Sequence, residues 1–386
     1  MNNKKLKILV VSRWHYPAAN PRSFRTTELV RELAARDYEV TAILPNFSKN
    51  IPSNVDVCYV STSRNSAPEL NKSSKNASSF KTVLVNFIRK MCLFFLGDTP
   101  KALLYGASII KILPKLLRLN KYDAVISISY PFYCHLAVAV CKKITGCKYR
   151  FIADCGDPLY ANPATNNAYY IKWLECIVLR CFDFIAVPME AAKAGYSEYG
   201  LNNKIVVIPQ GFKLLRVNEN KYQGNAIPTF CYAGVFYEKI RNPQYFFEYL
   251  ISFDIAFKFV IYLLPDEFSK NVLQKYKKIL KDKLEIRDAI PREELVQVMS
   301  RMDFVINFDN ENTNQKPSKL IDYAMSKRPI LSFNSKTFEP AIFEEFLRGN
   351  YSRKEQIDLT QYDIRNVVDK FEILFNRNDY KRGELM

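Results

Sequence analysis

The segment Asn314-Gln-Lys-Pro-Ser-Lys-Leu-Ile-Asp-Tyr323 gathers residue types that bind phosphorylated ligands. Pro317 and Ser318 fit a helix start, with proline early and serine as cap. A helix N-terminus offers free backbone N–H groups and a partial positive charge. Lys319 adds a full one, and the combination suits a diphosphate. Asp322 follows Ser318 by about one turn on the same face, where its carboxylate could accept both hydroxyls of a ribose. The same spacing also describes an ordinary capped helix with a solvated Asp322.

A second concentration of chemistry is Ile152-Ala-Asp-Cys-Gly-Asp-Pro-Leu159, where an apolar strand runs straight into two carboxylates. Asp157, and after it Asp154, could orient an acceptor hydroxyl or take its proton. A pair of helix-capping aspartates has the same signature. Other chemistries lack their residues. The loop Arg13-Trp-His-Tyr-Pro-Ala-Ala-Asn-Pro-Arg22 after the first strand holds no glycine, against the G-x-G-x-x-G dinucleotide fingerprint, and no G-x-x-x-x-G-K-[ST] loop occurs. Two histidines, His15 and His135, and nine cysteines without a C-x-x-C pair give a metal site little to work with, and the cysteines read as reduced, mostly buried thiols. D-x-D is absent, Asp309-Asn-Glu311 being the nearest approach. Lys, Arg and a helix terminus are therefore expected to neutralise the diphosphate, with no metal and no cofactor.

Positioning these residues requires two α/β series. Leu6–Ser12, a helix capped by Ser23 with Leu29, Val30, Leu33 and Ala34 at helical spacing, and Tyr38–Leu44 read as a βαβ opening. Strands are expected at 55–60, 124–129, 149–153, 184–187 and 204–208, with helices at 103–119, 134–144 and 169–181. Residues 213–228 read as a linker. A second series follows, with strands at 230–234, 258–263, 284–287, 304–307 and 329–333 and helices between them. The expected organisation is an N-terminal domain over 1–212, a C-terminal domain over 229–350 and a helical tail over 351–386. Both domains should be Rossmann-like, doubly wound and face one another across a cleft, with ligands at the strands' C-terminal ends.

The 386 residues carry a formal net charge of +17, which favours anionic partners. About half of it lies between Arg64 and Lys121, where 11 basic residues face 2 acidic ones. Leu103, Leu104, Ala107, Ile110, Leu113, Leu116 and Leu117 can form one helical face there. That suits either an anionic membrane surface or docking onto a sheet. Residues 61–80 read as a mobile loop near a bound substrate. No recognisable nucleic-acid module accompanies the charge, so nucleic acid is not an expected partner. The first apolar run, Leu6–Val11, is too short for a signal or a span, and the expectation is a cytoplasmic protein, soluble or peripheral on the membrane's inner face.

These segments resemble the family 4 glycosyltransferases, which have the GT-B fold. That family carries E-x7-E in its second domain, and Asn314 and Asp322 hold the two positions here. Ala324-Met-Ser-Lys-Arg-Pro-Ile-Leu331 is similar to the continuation A-x-x-x-G-x-P-[IV]-[IVL]. Phe230-Cys-Tyr-Ala-Gly234 with Lys239-Ile-Arg-Asn-Pro243 resembles Y-x-G…[KR]-N-[PL], which implies phosphate contacts for Gly234, Arg241 and Lys239. Asn203–Phe212 and Glu293–Val305 match further family landmarks, and Arg287–Pro291 would lie near the base. In the first domain, Tyr16-Pro17 through Arg25 resembles a loop and helix start in which Arg25 would point toward the cleft, and Asp154 and Asp157 match a D-x-[RG]-D-P segment. Glu175 is similar to an acidic helix position and could pair with a basic residue.

The resemblance implies transfer of a sugar from a nucleotide-diphospho-sugar to a lipid-linked or oligosaccharide acceptor hydroxyl. Anomeric configuration would be retained, in surface-polysaccharide assembly (capsular, exopolysaccharide or lipopolysaccharide). Ser318 and Lys319 would join Arg241 and Lys239 on the diphosphate, Asp322 would hold the ribose and Asn314 the donor sugar. The alternatives are a non-catalytic GT-B scaffold that binds nucleotide or lipid, and a nucleotide-sugar epimerase.

Overall fold

The computed structural model describes residues 5–18, 20–61, 90–161, 167–217, 222–238, 240–264, 266–310 and 319–375. The chain divides into two compact units. Among the described residues, the first comprises those up to 213 and those from 360 onward, and the second comprises 214–359.

The first unit is a seven-stranded parallel sheet. Its strands are β1 (Lys7–Ser12), β2 (Glu39–Pro45), β3 (Val55–Val60), β4 (Ala124–Ile128), β5 (Arg150–Asp154), β6 (Phe184–Val187) and β7 (Ile205–Val207), in the order β3-β2-β1-β4-β5-β6-β7. Parallel strands need crossovers that cover both faces, so the inner strands are near-continuous apolar runs. β1 shows this: Ile8 and Val10 pack into one core with Leu29, Val30 and Leu33, and Leu9 and Val11 into the other with Ile109, Leu113 and Val138. The helices are α1 (Pro21–Ala35), α2 (Pro100–Leu119), α3 (Tyr133–Thr145) and α4 (Tyr170–Arg180).

The second unit is a five-stranded parallel sheet of β8 (Thr229–Gly234), β9 (Lys258–Leu263), β10 (Leu284–Asp288), β11 (Phe304–Phe308) and β12 (Ile330–Phe333), ordered β10-β9-β8-β11-β12. Its helices are α5 (Gln244–Ile251), α6 (Glu267–Leu280), α7 (Arg292–Met299), α8 (Lys319–Met325) and α9 (Pro340–Leu347). The core is largely aromatic, with Phe230 stacked between Phe259 and Phe304 at centroid distances of 4.7 and 4.8 Å. Two doubly wound parallel α/β sheets are the fold class expected from the strand–helix alternation.

The structure differs from the sequence expectation at three places. Helix α1 begins at Pro21 and is capped by Asn20, whose side chain accepts from the Ser23 amide, so Ser23 is a first-turn residue. The final helix, α10 (Ile364–Phe375), is part of the first unit: Val367, Val368 and Phe371 are buried with Ile8 and Val10, and Arg36 at the end of α1 pairs with Asp369 and Glu372. An amphipathic helix buries its stripe wherever a sheet face lies open, and here the α1 face takes it. The latter part of the segment read as a linker is pinned to the second unit. Asp303 accepts hydrogen bonds from the Tyr222 hydroxyl, from Asn225 and, at 2.7 Å, from the Thr229 amide.

Candidate functional site

Both sheets reverse direction of strand addition once, between β1 and β4 and between β8 and β11. Such switch points open a crevice at the strands' C-terminal ends. In the second unit that crevice is cationic. β8 ends at Gly234, whose φ of 146° is a region L side chains rarely adopt, and a Cβ there would sit 3.0 Å from the Tyr232 hydroxyl. The chain then turns so that the backbones of Tyr237 and Arg241 pair with one another, at 3.0 and 3.2 Å. Arg241 Nη2 donates to Asn310 Oδ1 at 2.7 Å and Nη1 to the Val235 carbonyl at 3.3 Å. Its buried Nε has no hydrogen-bond partner among the described residues.

Lys319 opens α8. Its Nζ is buried, lies 4.4 Å from the centre of the Tyr232 ring and has no hydrogen-bond partner among the described residues. Burial, and then the Arg241 charge, hold its pKa well below that of an ordinary lysine, while Asp309 acts in the opposite direction. Asp309 follows β11 and is itself raised by burial, with Asn307 Nδ2 donating to it at 2.6 Å. The Lys319 and Arg241 charges both favour the ionised form of Asp309. A buried cation without an acceptor is costly, and a bound anion would remove that cost. Among the described residues, no three His, Cys, Asp or Glu side chains are placed to hold a metal ion.

One turn along α8, Asp322 Oδ1 accepts from Nε of Arg292 at 2.6 Å. Burial raises the Asp322 pKa, and the Arg292 charge and hydrogen bond partly offset the rise. Asp309 was noted in the sequence only as part of the nearest approach to D-x-D, and Arg292 was given no site role there. Arg292 sits 30 residues before its partner, and nothing local marks the pairing. Asn314, Ser318 and Lys239 lie outside the described residues.

The first unit places Arg25 differently from the expectation that it points toward the cleft. Arg25 is fully buried: Nε donates to Asp154 Oδ2 at 2.7 Å, Nη1 to the Pro209 carbonyl, and the guanidinium lies 5.1 Å from the centre of the Phe371 ring. Asp154 is buried with it and also has Arg22 Nη1 3.7 Å away. This pair joins α1, the end of β5, the segment after β7 and α10. Asp157 is exposed in the loop after β5. That loop is held by Glu175, which accepts from the Leu159 and Tyr160 amides at 2.8 and 3.0 Å and from the Tyr199 hydroxyl at 2.6 Å. Glu175 therefore pairs with backbone amides and a phenol, not with the basic residue that its sequence position left open.

Residues 24–215 match the model of Glycosyltransferase Family 4. A glycosyltransferase from Rickettsia africae superposes with a TM-score of 0.61 at 13% identity, over 97% of this chain and 99% of that one. HepE from Anabaena, solved in complex with UDP-glucose, does so with a TM-score of 0.56 at 9% identity, over 95% and 98%. The lipopolysaccharide outer core galactosyltransferase WaaB gives 0.54 at 11%, over 96% and 97%. The chain is a family 4-like GT-B glycosyltransferase. No curated protein matches it in sequence at a significant level. In this glycosyltransferase the family match covers most of the first unit, whereas the basic crevice at the β8–β11 switch point belongs to the second.

Proposed function

We propose that the second unit holds a nucleotide-diphospho-sugar, with the diphosphate on Arg241 and Lys319 and the ribose on Asp322. The observation that carries this reading is the buried Lys319 ammonium, without a hydrogen-bond acceptor among the described residues, beside Arg241 at a switch point. As the sugar leaves, the nucleoside diphosphate gains negative charge, and cations already in position stabilise it without reorganising. Gly234 lets the backbone approach the phosphates. Lys239 and Ser318 complete the phosphate contacts, and Asn314 holds the donor sugar. Asp157 orients the acceptor hydroxyl. The reaction is metal-independent transfer with retention, on a lipid-linked or oligosaccharide acceptor in surface-polysaccharide assembly. The HepE complex with UDP-glucose and the galactosyltransferase WaaB are in keeping with this reading.

The test is a thermal-shift panel of UDP-, GDP-, ADP- and dTDP-sugars without added metal. A ligand at a hundredfold excess over its Kd stabilises by about 2.7 kcal/mol. One nucleotide class should raise Tm, and Lys319→Ala or Arg241→Ala should abolish the shift. A folded protein that responds to none of them would overturn the donor site and favour a non-catalytic scaffold.

The acceptor side is a lipid surface. A helical stretch over 90–96 meets the start of α4, where the Ala168 amide donates to the Phe94 carbonyl at 2.9 Å and the Tyr170 hydroxyl to that of Phe95. Exposed side chains cluster there: Met91, Phe94, Phe95, and Tyr169 and Trp173 at 75% and 69% exposure. Tyr and Trp favour membrane–water interfaces. The neighbouring helix α2 exposes Lys101, Lys111, Lys115 and Arg118 and contains no acidic residue. Among the described residues no helix is long and apolar enough to cross a membrane. The chain should float with phosphatidylglycerol vesicles and not with phosphatidylcholine ones, and a Phe95→Ser, Trp173→Ser double variant should stay at the bottom of the gradient. Equal recovery with both lipids, or an unaffected double variant, would remove this surface from the reading.

A further inference from the structure

We infer that Arg292 is a positioning residue for nucleotide recognition: it holds the Asp322 carboxylate in the orientation that distinguishes a ribonucleoside from a 2′-deoxyribonucleoside diphosphate. The inference rests on the proposed ribose role of Asp322.

Three observations carry it. First, the contact is directional. Arg292 Nε donates to Oδ1 alone, at 2.6 Å, and no described residue donates to Oδ2. A carboxylate oxygen has two lone pairs, so Oδ2, and the second lone pair of Oδ1, remain for two hydroxyl donors. Second, Arg292 is itself fixed. It is the first residue of α7, directly after Pro291, and its Nη2 lies 3.9 Å from Met325 Sδ, on the same helix as Asp322. The guanidinium is planar and projects its N–H groups in a rigid fork, so with Nη2 turned to Met325 its Nε–H fixes where Oδ1 lies. Third, the pair is only partly open to water, with side chains 25% and 22% exposed. Burial disfavours the Asp322 anion, and the Arg292 charge opposes that effect. Without Arg292 the carboxyl would be both freer to rotate and easier to protonate. A protonated carboxyl donates through one oxygen and can no longer accept symmetrically from a vicinal diol. Arg292 also ends the loop that follows β10, so it couples that loop to the α8 carboxylate. Phosphate contacts at Arg241 and Lys319 are separate from this pair and supply affinity common to both kinds of nucleotide.

The experiment is titration calorimetry with UDP and 2′-deoxy-UDP, and with the corresponding GDP and ADP pairs, on the full chain. The wild type should bind the ribonucleotide about tenfold or more tightly than its deoxy counterpart, the worth of one hydrogen bond to a charged group. Asp322→Asn should bring the two affinities together. Arg292→Ala should do the same by weakening the ribonucleotide while leaving the deoxynucleotide within about twofold of wild type, as expected if only the hydroxyl contact is lost. Arg292→Gln keeps one N–H donor on a shorter stem, and its ratio should be intermediate. A ratio lost in Asp322→Asn but retained in Arg292→Ala leaves the ribose reading standing and overturns this inference. So does an equal loss for both nucleotides in Arg292→Ala. Should the alanine variant fail to fold, a wild-type ratio in Arg292→Gln overturns it. No preference in the wild type removes the ribose reading, and the inference with it.

Discussion

Arg25 Nε and Asp154 Oδ2 meet at 2.7 Å inside the first unit, 129 residues apart in sequence, with side chains 1% and 3% exposed. Removing one member of such a pair leaves a buried charge without its partner, at a cost of about 3–5 kcal/mol. Asp154→Ala and Arg25→Ala should therefore lower stability by that order in urea melts of the first unit, with a double variant less destabilised than the sum. Either single variant melting like wild type but losing transferase activity would return the pair to the catalytic apparatus.

Lys319 makes the opposite kind of prediction. Its pKa is lowered in the folded chain, so between the folded value and about 10.5 the unfolded state binds more protons. Lys319 should therefore reduce the stability of the ligand-free protein at low pH, and the penalty should fade as pH rises through that window. Lys319→Met should flatten this dependence and match or exceed wild-type stability near neutrality, while losing nucleotide binding. Denaturant midpoints from pH 6 to 10 measure it, and a less stable methionine variant at neutral pH would contradict the buried-cation reading.

His135 should make the first unit acid-labile. It is buried between Ser127, whose Oγ lies 2.8 Å from Nδ1, and Cys155, and burial lowers its pKa from 6.5 to about 3. His15 is lowered in the same way to about 4. An unfolded chain takes up these protons first, so the neutral-ring contribution is complete above pH 6.5 and lost as pH falls toward 3. The loss is on the order of a few kcal/mol. His135→Gln should be less stable at pH 7 and show a shallower decline below pH 6. Parallel wild-type and variant curves would exclude the ring as the cause.

Asp303 should govern the segment that leads into the second unit. It accepts from Tyr222, Asn225 and Thr229, and Arg328 stacks 3.5 Å from the Tyr222 ring centre. Asp303→Ala leaves several donors without an acceptor, each worth about 1–3 kcal/mol if it stays buried. The expected result is cleavage within 213–228 by trace protease at concentrations that leave wild type intact.

Much of this glycosyltransferase was legible without coordinates. The strands at 184–187 and 258–263 fall where the apolar runs place them, because a parallel strand buried on both faces writes its burial into consecutive residues. Lys319 also stood out, since a cation at a helix start is a local pattern, and the family resemblance pointed to Arg241. Which charges would be neutralised from afar was not local. Asp154 and Arg25 read as site groups because an aspartate after a strand and an arginine in a first turn look alike whether they face solvent or one another. Only the packing of α1 against β5 and α10 turned them into an internal pair. The helix at 364–375 showed its amphipathic stripe in sequence, but not the sheet face that would cover it. Arg292 carried no signal at all until the α7 and α8 starts came together. Sequence by itself determined the elements and the kinds of charge available, because both depend on neighbours along the chain. Tertiary structure decided which charges are paired and which stay available, because that depends on groups the chain brings together from far apart.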